Sequence, residues 1–252
     1  MNPEALLHVA RQAAEAGAAE LVQKYRGSFN INTKSNEADY VTDADLASET
    51  AVRAKLAELR PDDIVTGEEY DATGAENAEV YWSIDPLDGT VNFARGLPNW
   101  AVAIGARDLQ TGEWVAGVVH SPILGVTYYA HKGGGAFAER NGASERLSGP
   151  IERTTKIVAT GFSYDPDDRV NQFDRLASLM PNFVDVRRMG AASLDMCMVA
   201  DGTIDAYYEK GIKEWDWAGA MVVAEEAGLQ VIRPKFAGDL GVVARDTSLF
   251  TE

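Results

Sequence analysis

The sequence predicts a layered α/β fold, and three observations predict it. Helix-like and strand-like stretches alternate along all 252 residues. Apolar residues make up 46% of the chain and charged residues 25%, which suits a globular chain with a sizeable buried core. No repeat, low-complexity tract or long linker interrupts the alternation. The chain therefore reads as one domain over 1–252, whose halves of about 1–150 and 151–252 share one site.

Residues 4–26 predict a helix, because Leu6, Leu7, Ala10, Ala14, Ala18, Leu21, Val22 and Tyr25 recur at helical spacing. Residues 30–40 are polar and predict a loop. A second helix is expected from Thr42, a plausible N-cap, to Leu59, with Pro61 as its stop. Ile64–Glu69 is a short strand running into acids. A β-rich middle follows: 80–84, 101–106, 114–120 and 126–130 are strands, and Asn141-Gly142 is a turn dipeptide in or beside the sheet. In the second half, strands are expected at 156–160, 183–186, 204–208, 229–232 and 241–244. Helices are expected at 172–180, 192–200 and 216–228.

The formal net charge is -16. That excludes a nucleic-acid partner, which needs a basic face, and an anionic membrane surface. No segment reaches the ~18 consecutive apolar residues of a membrane span, and the N-terminus has no basic start before an apolar block. Cys197 is the single cysteine. It cannot form an internal disulfide, so a reducing cytoplasm is expected, and its apolar run reads as core.

The chemistry sits in four acidic clusters. Asp85-Pro-Leu-Asp88-Gly-Thr90 follows an apolar strand, Gly67-Glu68-Glu69 ends another, Trp215-Asp216-Trp-Ala-Gly-Ala220 opens a helix, and Val41-Thr-Asp43-Ala-Asp45 opens the second helix. Each alone reads as a turn or an N-cap, since both favour Asp. Together they lie at strand ends and helix starts, which converge on ligand sites in layered α/β folds. Glu68, Asp85, Asp88 and Asp216 could gather two or three Mg²⁺ ions, which suit carboxylates, retained waters and a substrate phosphate. Metals would then carry the positive field that 23 Lys and Arg against 39 Asp and Glu cannot supply. His8, His120 and His131 have no paired spacing, so zinc is not expected. Gly133-Gly-Gly135 lacks the Lys of a Walker loop and reads as a turn, and Ser163 lacks a nucleophile elbow.

Trp82-Ser-Ile-Asp85-Pro-Leu-Asp88-Gly-Thr90-Val-Asn-Phe93 resembles the first signature of the inositol monophosphatase family, and Trp215–Ala220 resembles the second. Gly67-Glu68-Glu69 stands at the family's glutamate position, and the resemblance runs from about residue 4 to 245. It implies a five-layered α-β-α-β-α fold and a homodimer. It implies hydrolysis of inositol monophosphate by a metal-activated water, with sensitivity to lithium. Glu68, Asp85, Thr90 and the Leu87 carbonyl would surround one Mg²⁺, and Asp85, Asp88 and Asp216 a second. Glu68 would help a third. Asp43 and Thr90 match the pair that activates the attacking water. Asp88, Gly89, Thr90, Gly190, Ala191, Ala192, Glu209 and Asp216 match substrate contacts. Lys34 matches a basic residue in a loop near the site. Many relatives carry a hydroxyl where this chain has Ala191, with Ser193 nearby. The implied partner is a small phosphorylated polyol. Histidinol phosphate, another sugar or nucleotide phosphate, and a regulatory binding role are the competing expectations.

Overall fold

The computed structural model describes residues 2–27, 31–33, 40–236 and 238–251. Lys34 lies outside them. Five layers are stacked. Helices α1 (Pro3–Lys24) and α2 (Asp43–Leu59) cover one face of a seven-stranded sheet. That sheet runs in the order β3 (Ile64–Gly67), β4 (Val80–Asp88), β5 (Ala101–Asp108), β6 (Trp114–Ser121), β7 (Val126–His131), β8 (Gly135–Arg140), β9 (Ala143–Arg146). Every pairing in it is antiparallel except that of β3 with β4. Helices α5 (Ala192–Ala200) and α6 (Glu214–Glu226) form the middle layer. The second sheet has five strands: β11 (Asp185–Arg187), β10 (Ile157–Thr160), β12 (Ala206–Lys210), β14 (Leu240–Ala244) and β13 (Gln230–Ile232), in that order. Helix α4 (Pro166–Leu179) lies on its outer face. The expected layered fold is what the chain adopts.

The layers follow from the side chains. Helix α6 is buried continuously from Trp217 to Ala224. It has no solvent face because a sheet lies on each side, and a helix apolar all round is stable only there. Glycines let it lie backbone to backbone on the larger sheet: a Cβ on Gly117 would stand 2.2 Å from the Gly219 carbonyl oxygen. Helix α1 is instead apolar on one stripe, Leu6, Leu7, Ala10, Ala14, Ala18 and Leu21, which joins a core with Val102 and Ile104 of β5 and Ala116 and Val118 of β6. Helix α4 is seated most loosely: of its 14 residues only Leu179 is buried.

Several elements differ from the expectations. Part of the expected polar loop at 30–40 forms a short ladder, β1 (Ile31–Thr33) with β2 (Tyr40–Thr42). Strand β4 does not stop before Asp85 but continues to Asp88 through a register shift against β5. Strands β8 and β9, joined at Asn141-Gly142, had too little alternation to be expected; β9 is exposed throughout. Helix α4 begins at Pro166, capped by Asp165, whose Oδ1 accepts the Asp167 N–H at 2.9 Å. Gly133-Gly-Gly135 is a turn, and Glu226 accepts the N–H groups of Gly133 and Gly135. Among the described residues, no helix is long and apolar enough to cross a membrane.

Candidate active site

The bulge of β4 builds the floor. Between Asp85 and Asp88 the ladder with β5 is interrupted, which frees a turn of backbone beside the sheet. Asp85 Oδ1 accepts the Leu87 N–H at 3.0 Å, and Ser48 Oγ from α2 donates to the Pro86 carbonyl at 2.8 Å. Gly89 then turns the chain at φ 92 into the short helix α3 (Thr90–Ala94).

Thr90 identifies its carboxylate partner. Its Oγ1 stands 3.1 Å from Asp45 Oδ1 and 3.1 Å from the Leu87 carbonyl oxygen. Asp45 is fully buried at the third position of α2, where its Oδ2 accepts the Thr42 N–H at 2.8 Å in a capping box. The expected pair of Asp43 with Thr90 is therefore corrected: the acid bonded to Thr90 is Asp45. Helical geometry explains the difference. The third residue of a helix reaches back over its N-terminus, whereas Asp43 is the first residue of α2.

Glu68 follows β3, and its neighbours are clamped by Glu49 of α2. The fully buried Glu49 accepts the Glu69 N–H at 2.8 Å and pairs with Arg53 at 2.8 Å. A Cβ on residue 67 would lie 2.2 Å from Glu49 Oε1, so Gly67 is required there. Glu49 had no sequence signal, since it looks like one more acid on a solvated helix.

The second half docks onto this floor. Asp88 accepts the N–H groups of Ala192 at 3.1 Å and Ser193 at 2.8 Å, and the Ser193 hydroxyl at 2.5 Å. It caps α5, whose own preceding residue, Ala191, makes no side-chain cap. Asn92 Nδ2 donates to the carbonyls of Asn99 and Met189, both at 2.7 Å. Asp216, in the first turn of α6, accepts the Lys213 N–H at 2.5 Å, and Glu209 accepts the Tyr207 hydroxyl at 2.8 Å.

One cleft of about 1720 Å³ joins these groups. Glu68, Asp85, Leu87, Asp88, Gly89, Thr90, Gly190, Ala191, Ala192, Glu209 and Asp216 all line it; among the described residues, Asp43 is the expected site residue that does not. Its electrostatics are those of crowded, buried acids. Burial first, then Glu68, Asp88 and Asp216, push the Asp85 carboxyl well above the usual range. Burial and Asp88 do the same to Asp216. Asp88 rises less, because bonds from Ser193 and Ala192 oppose its burial.

Such a set fits a hard divalent cation. The donors are all oxygen, the carboxyls repel one another, and a carboxylate has about four lone-pair positions, so their hydrogen bonds leave acceptor capacity. Among the described residues, no three His, Cys, Asp or Glu side chains enclose an ion by themselves. Mg²⁺ does not require that, because it is usually held by one or two carboxylates with waters and substrate phosphate.

Burial pushes Glu209 up to about 7. A carboxyl with a raised folded pKa contributes stability below its unfolded pKa and loses it as pH rises through the folded one. For Glu209 the window runs from 4.5 to about 7. Glu209→Gln is expected to flatten the fall of Tm across this window and to raise Tm above wild type at about pH 8. Melting curves of both proteins from acid to mildly alkaline pH check this.

Comparison with known proteins follows the same lines. Residues 2–247 match the inositol monophosphatase family. Inositol-1-monophosphatase SuhB of Mycobacterium tuberculosis is 41% identical over 225 residues, 86% of this chain and 77% of that protein. The protein named Nus factor SuhB in Pasteurella multocida is 35% identical, over 90% of this chain and 84% of its own length. The crystal structure of extragenic suppressor protein suhB from Bartonella henselae superposes with a TM-score of 0.86 at 29% identity, covering 98% of this chain and 96% of the other. The chain belongs to the inositol monophosphatase family and is a phosphoric monoester hydrolase.

Proposed function

We propose that the chain hydrolyses inositol monophosphate to inositol and phosphate in a Mg²⁺-dependent reaction. The observation that carries this is the convergence of Glu68, Asp85, Asp88, Thr90 and Asp216 on one cleft of a chain of net charge -16, with Asp45 buried behind Thr90 and bonded to it. Two or three Mg²⁺ ions fit the reading, held by Glu68, Asp85, the Leu87 carbonyl, Asp88 and Asp216. When bound, Mg²⁺ supplies the positive field that draws the phosphate in and offsets charge developing on the phosphoryl and leaving oxygens.

The protein's own groups do the rest. Thr90 gives its O–H to Asp45, which leaves its oxygen free to accept a proton from the attacking water. Asp45 supports that transfer as a general base acting through the hydroxyl. Gly89 and Thr90 receive the phosphate along their backbone. Gly190, Ala191, Ala192 and Glu209 receive the polyol. A homodimer in a reducing cytoplasm completes the proposal, in keeping with the single, buried Cys197.

The test is phosphate release from inositol 1-phosphate, histidinol phosphate, fructose 1,6-bisphosphate and adenosine 3′,5′-bisphosphate, with Mg²⁺ and with EDTA. Inositol phosphate is expected to turn over fastest, and EDTA to abolish the rate. Another ester turning over fastest would replace the substrate and keep the chemistry. No turnover with Mg²⁺ would leave a binding role, to which the name of the Pasteurella relative points.

A further inference from the structure

The cleft holds a cation that the proposed mechanism leaves unused. Arg188 follows β11, precedes the Gly190 segment, and lines the cleft together with Gly190, Asp195 and Glu209. Its Nη1 lies so close to residue 190 that a Cβ there would stand 2.6 Å away, and Gly190 has φ +84. The positive φ favours glycine at 190, and the guanidinium lies against it. Among the described residues, no hydrogen bond or ion pair holds the Arg188 side chain. Its neighbour Arg187 differs, with Nη1 bonded to the Val186 carbonyl and to Asp185.

Two carboxyls flank Arg188, and both feel its positive charge. Asp195 is 2% exposed, and its Oδ1 has no hydrogen-bond partner. It lines the cleft while almost wholly buried, and the guanidinium acts on it by charge. On Glu209 the Tyr207 hydroxyl occupies Oε2, and among the described residues no donor reaches Oε1. The cleft thus carries a fork of N–H donors beside a carboxyl with an unclaimed oxygen.

A hydroxyl both donates and accepts, so it suits the space between such a pair. Two adjacent hydroxyls suit it better, because the planar fork presents parallel N–H groups. We propose that Arg188 is a specificity-determining residue that, together with Glu209, grips a vicinal pair of hydroxyls on the polyol. This rests on the phosphatase reading above and deepens it. Two carboxyls beside the guanidinium make it a poorer seat for a second phosphate than for neutral hydroxyls.

The experiment measures kcat and KM of wild type, Arg188→Ala and Arg188→Lys with Mg²⁺. The substrates are inositol 1-phosphate and p-nitrophenyl phosphate, which brings no hydroxyls. Arg188→Ala is expected to raise KM for inositol 1-phosphate about tenfold or more and to leave its kcat within about twofold. For p-nitrophenyl phosphate kcat/KM should change less than about twofold. Arg188→Lys should restore only part of the loss, because it keeps the charge without the fork. Arg188 is exposed, so its variants are expected to melt like wild type. Equal losses on both esters, or an unchanged KM for the polyol ester, overturn the proposal. If wild type itself shows no preference for inositol 1-phosphate, the substrate reading falls and the grip with it. If the preference survives in Arg188→Ala, only the grip falls.

Discussion

Asp45→Asn is expected to lower kcat by about two orders of magnitude or more, whereas Asp43→Asn should leave it within about twofold. The two acids are separated by one residue on the same helix, so composition, net charge and local propensity change alike. Asp45 Oδ1 accepts from the Thr90 hydroxyl, at 3.1 Å. An amide at position 45 cannot take up a proton, so the hydroxyl loses its base while the shape of the pair is kept. Some stability is also lost, because Asp45 closes the capping box with Thr42, which is worth about 1 kcal/mol. That cost is small beside the catalytic one. Steady-state kinetics of both variants with saturating Mg²⁺, alongside thermal melts, separate the effects. Equal kcat values would remove Asp45 from the reaction.

The second large effect is at Asp88. Asp88→Ala is expected to reduce turnover about a hundredfold or more, as for other preorganised charged groups at a reacting phosphate. It should also destabilise the protein. Two opposing terms decide this. Removing the carboxylate relieves its repulsion with Asp85 and Asp216. It also strands the N–H groups of Ala192 and Ser193 at the start of α5, at about 1–3 kcal/mol each. The bonds from Ser193 and Ala192 favour the charged form of Asp88 and oppose the effect of its burial. The loss of bonds should therefore win, and a net loss of about 2 kcal/mol should lower Tm by about 4–8 °C, at about 2–4 °C per kcal/mol for a chain of this length. Ser193→Ala removes one donor only and serves as the control, with a smaller drop and activity retained. An Asp88→Ala protein as stable as wild type would show that α5 needs no cap from the other half.

Much of the fold was legible because each signal was local. Thr42 as a cap, the long amphipathic stripe of α1 and the alternation of the central strands can all be read within a dozen residues. The hidden parts depended on partners far along the chain. Strand β4 runs on to Asp88 because β5 pairs with it beyond the bulge, which Pro86 conceals. Strand β9 has no buried face to leave a pattern. In the site, Asp85, Asp88, Gly89, Thr90 and Asp216 lay in two long motifs and Glu68 in a short one, whereas the bonds that support them had no local mark. Glu49 acts by bonding backbone at a distance, and nothing in its own neighbourhood marks it; Asn92 stood inside the first motif, but its bonds to the Asn99 and Met189 carbonyls join segments far apart in the chain. Asp45 was within reach: the Thr42-x-x-Asp45 spacing is that of a capping box, and it turns the third residue inward rather than the first.

Helix α4 has one further consequence. The acidic floor of the cleft rests on a bulged central strand and is tied to two buried helices, so a substitution there disturbs many bonds at once. The opposite wall includes Asp168, Arg169, Gln172 and Arg175 of a helix that buries a single side chain. The two sides therefore differ in how freely they can vary over generations. Exchange of residues on α4 alters what the cleft admits at little cost to folding, while the reacting end stays fixed. In this architecture new substrates arise by remodelling the wall, and the chemistry is inherited with the floor.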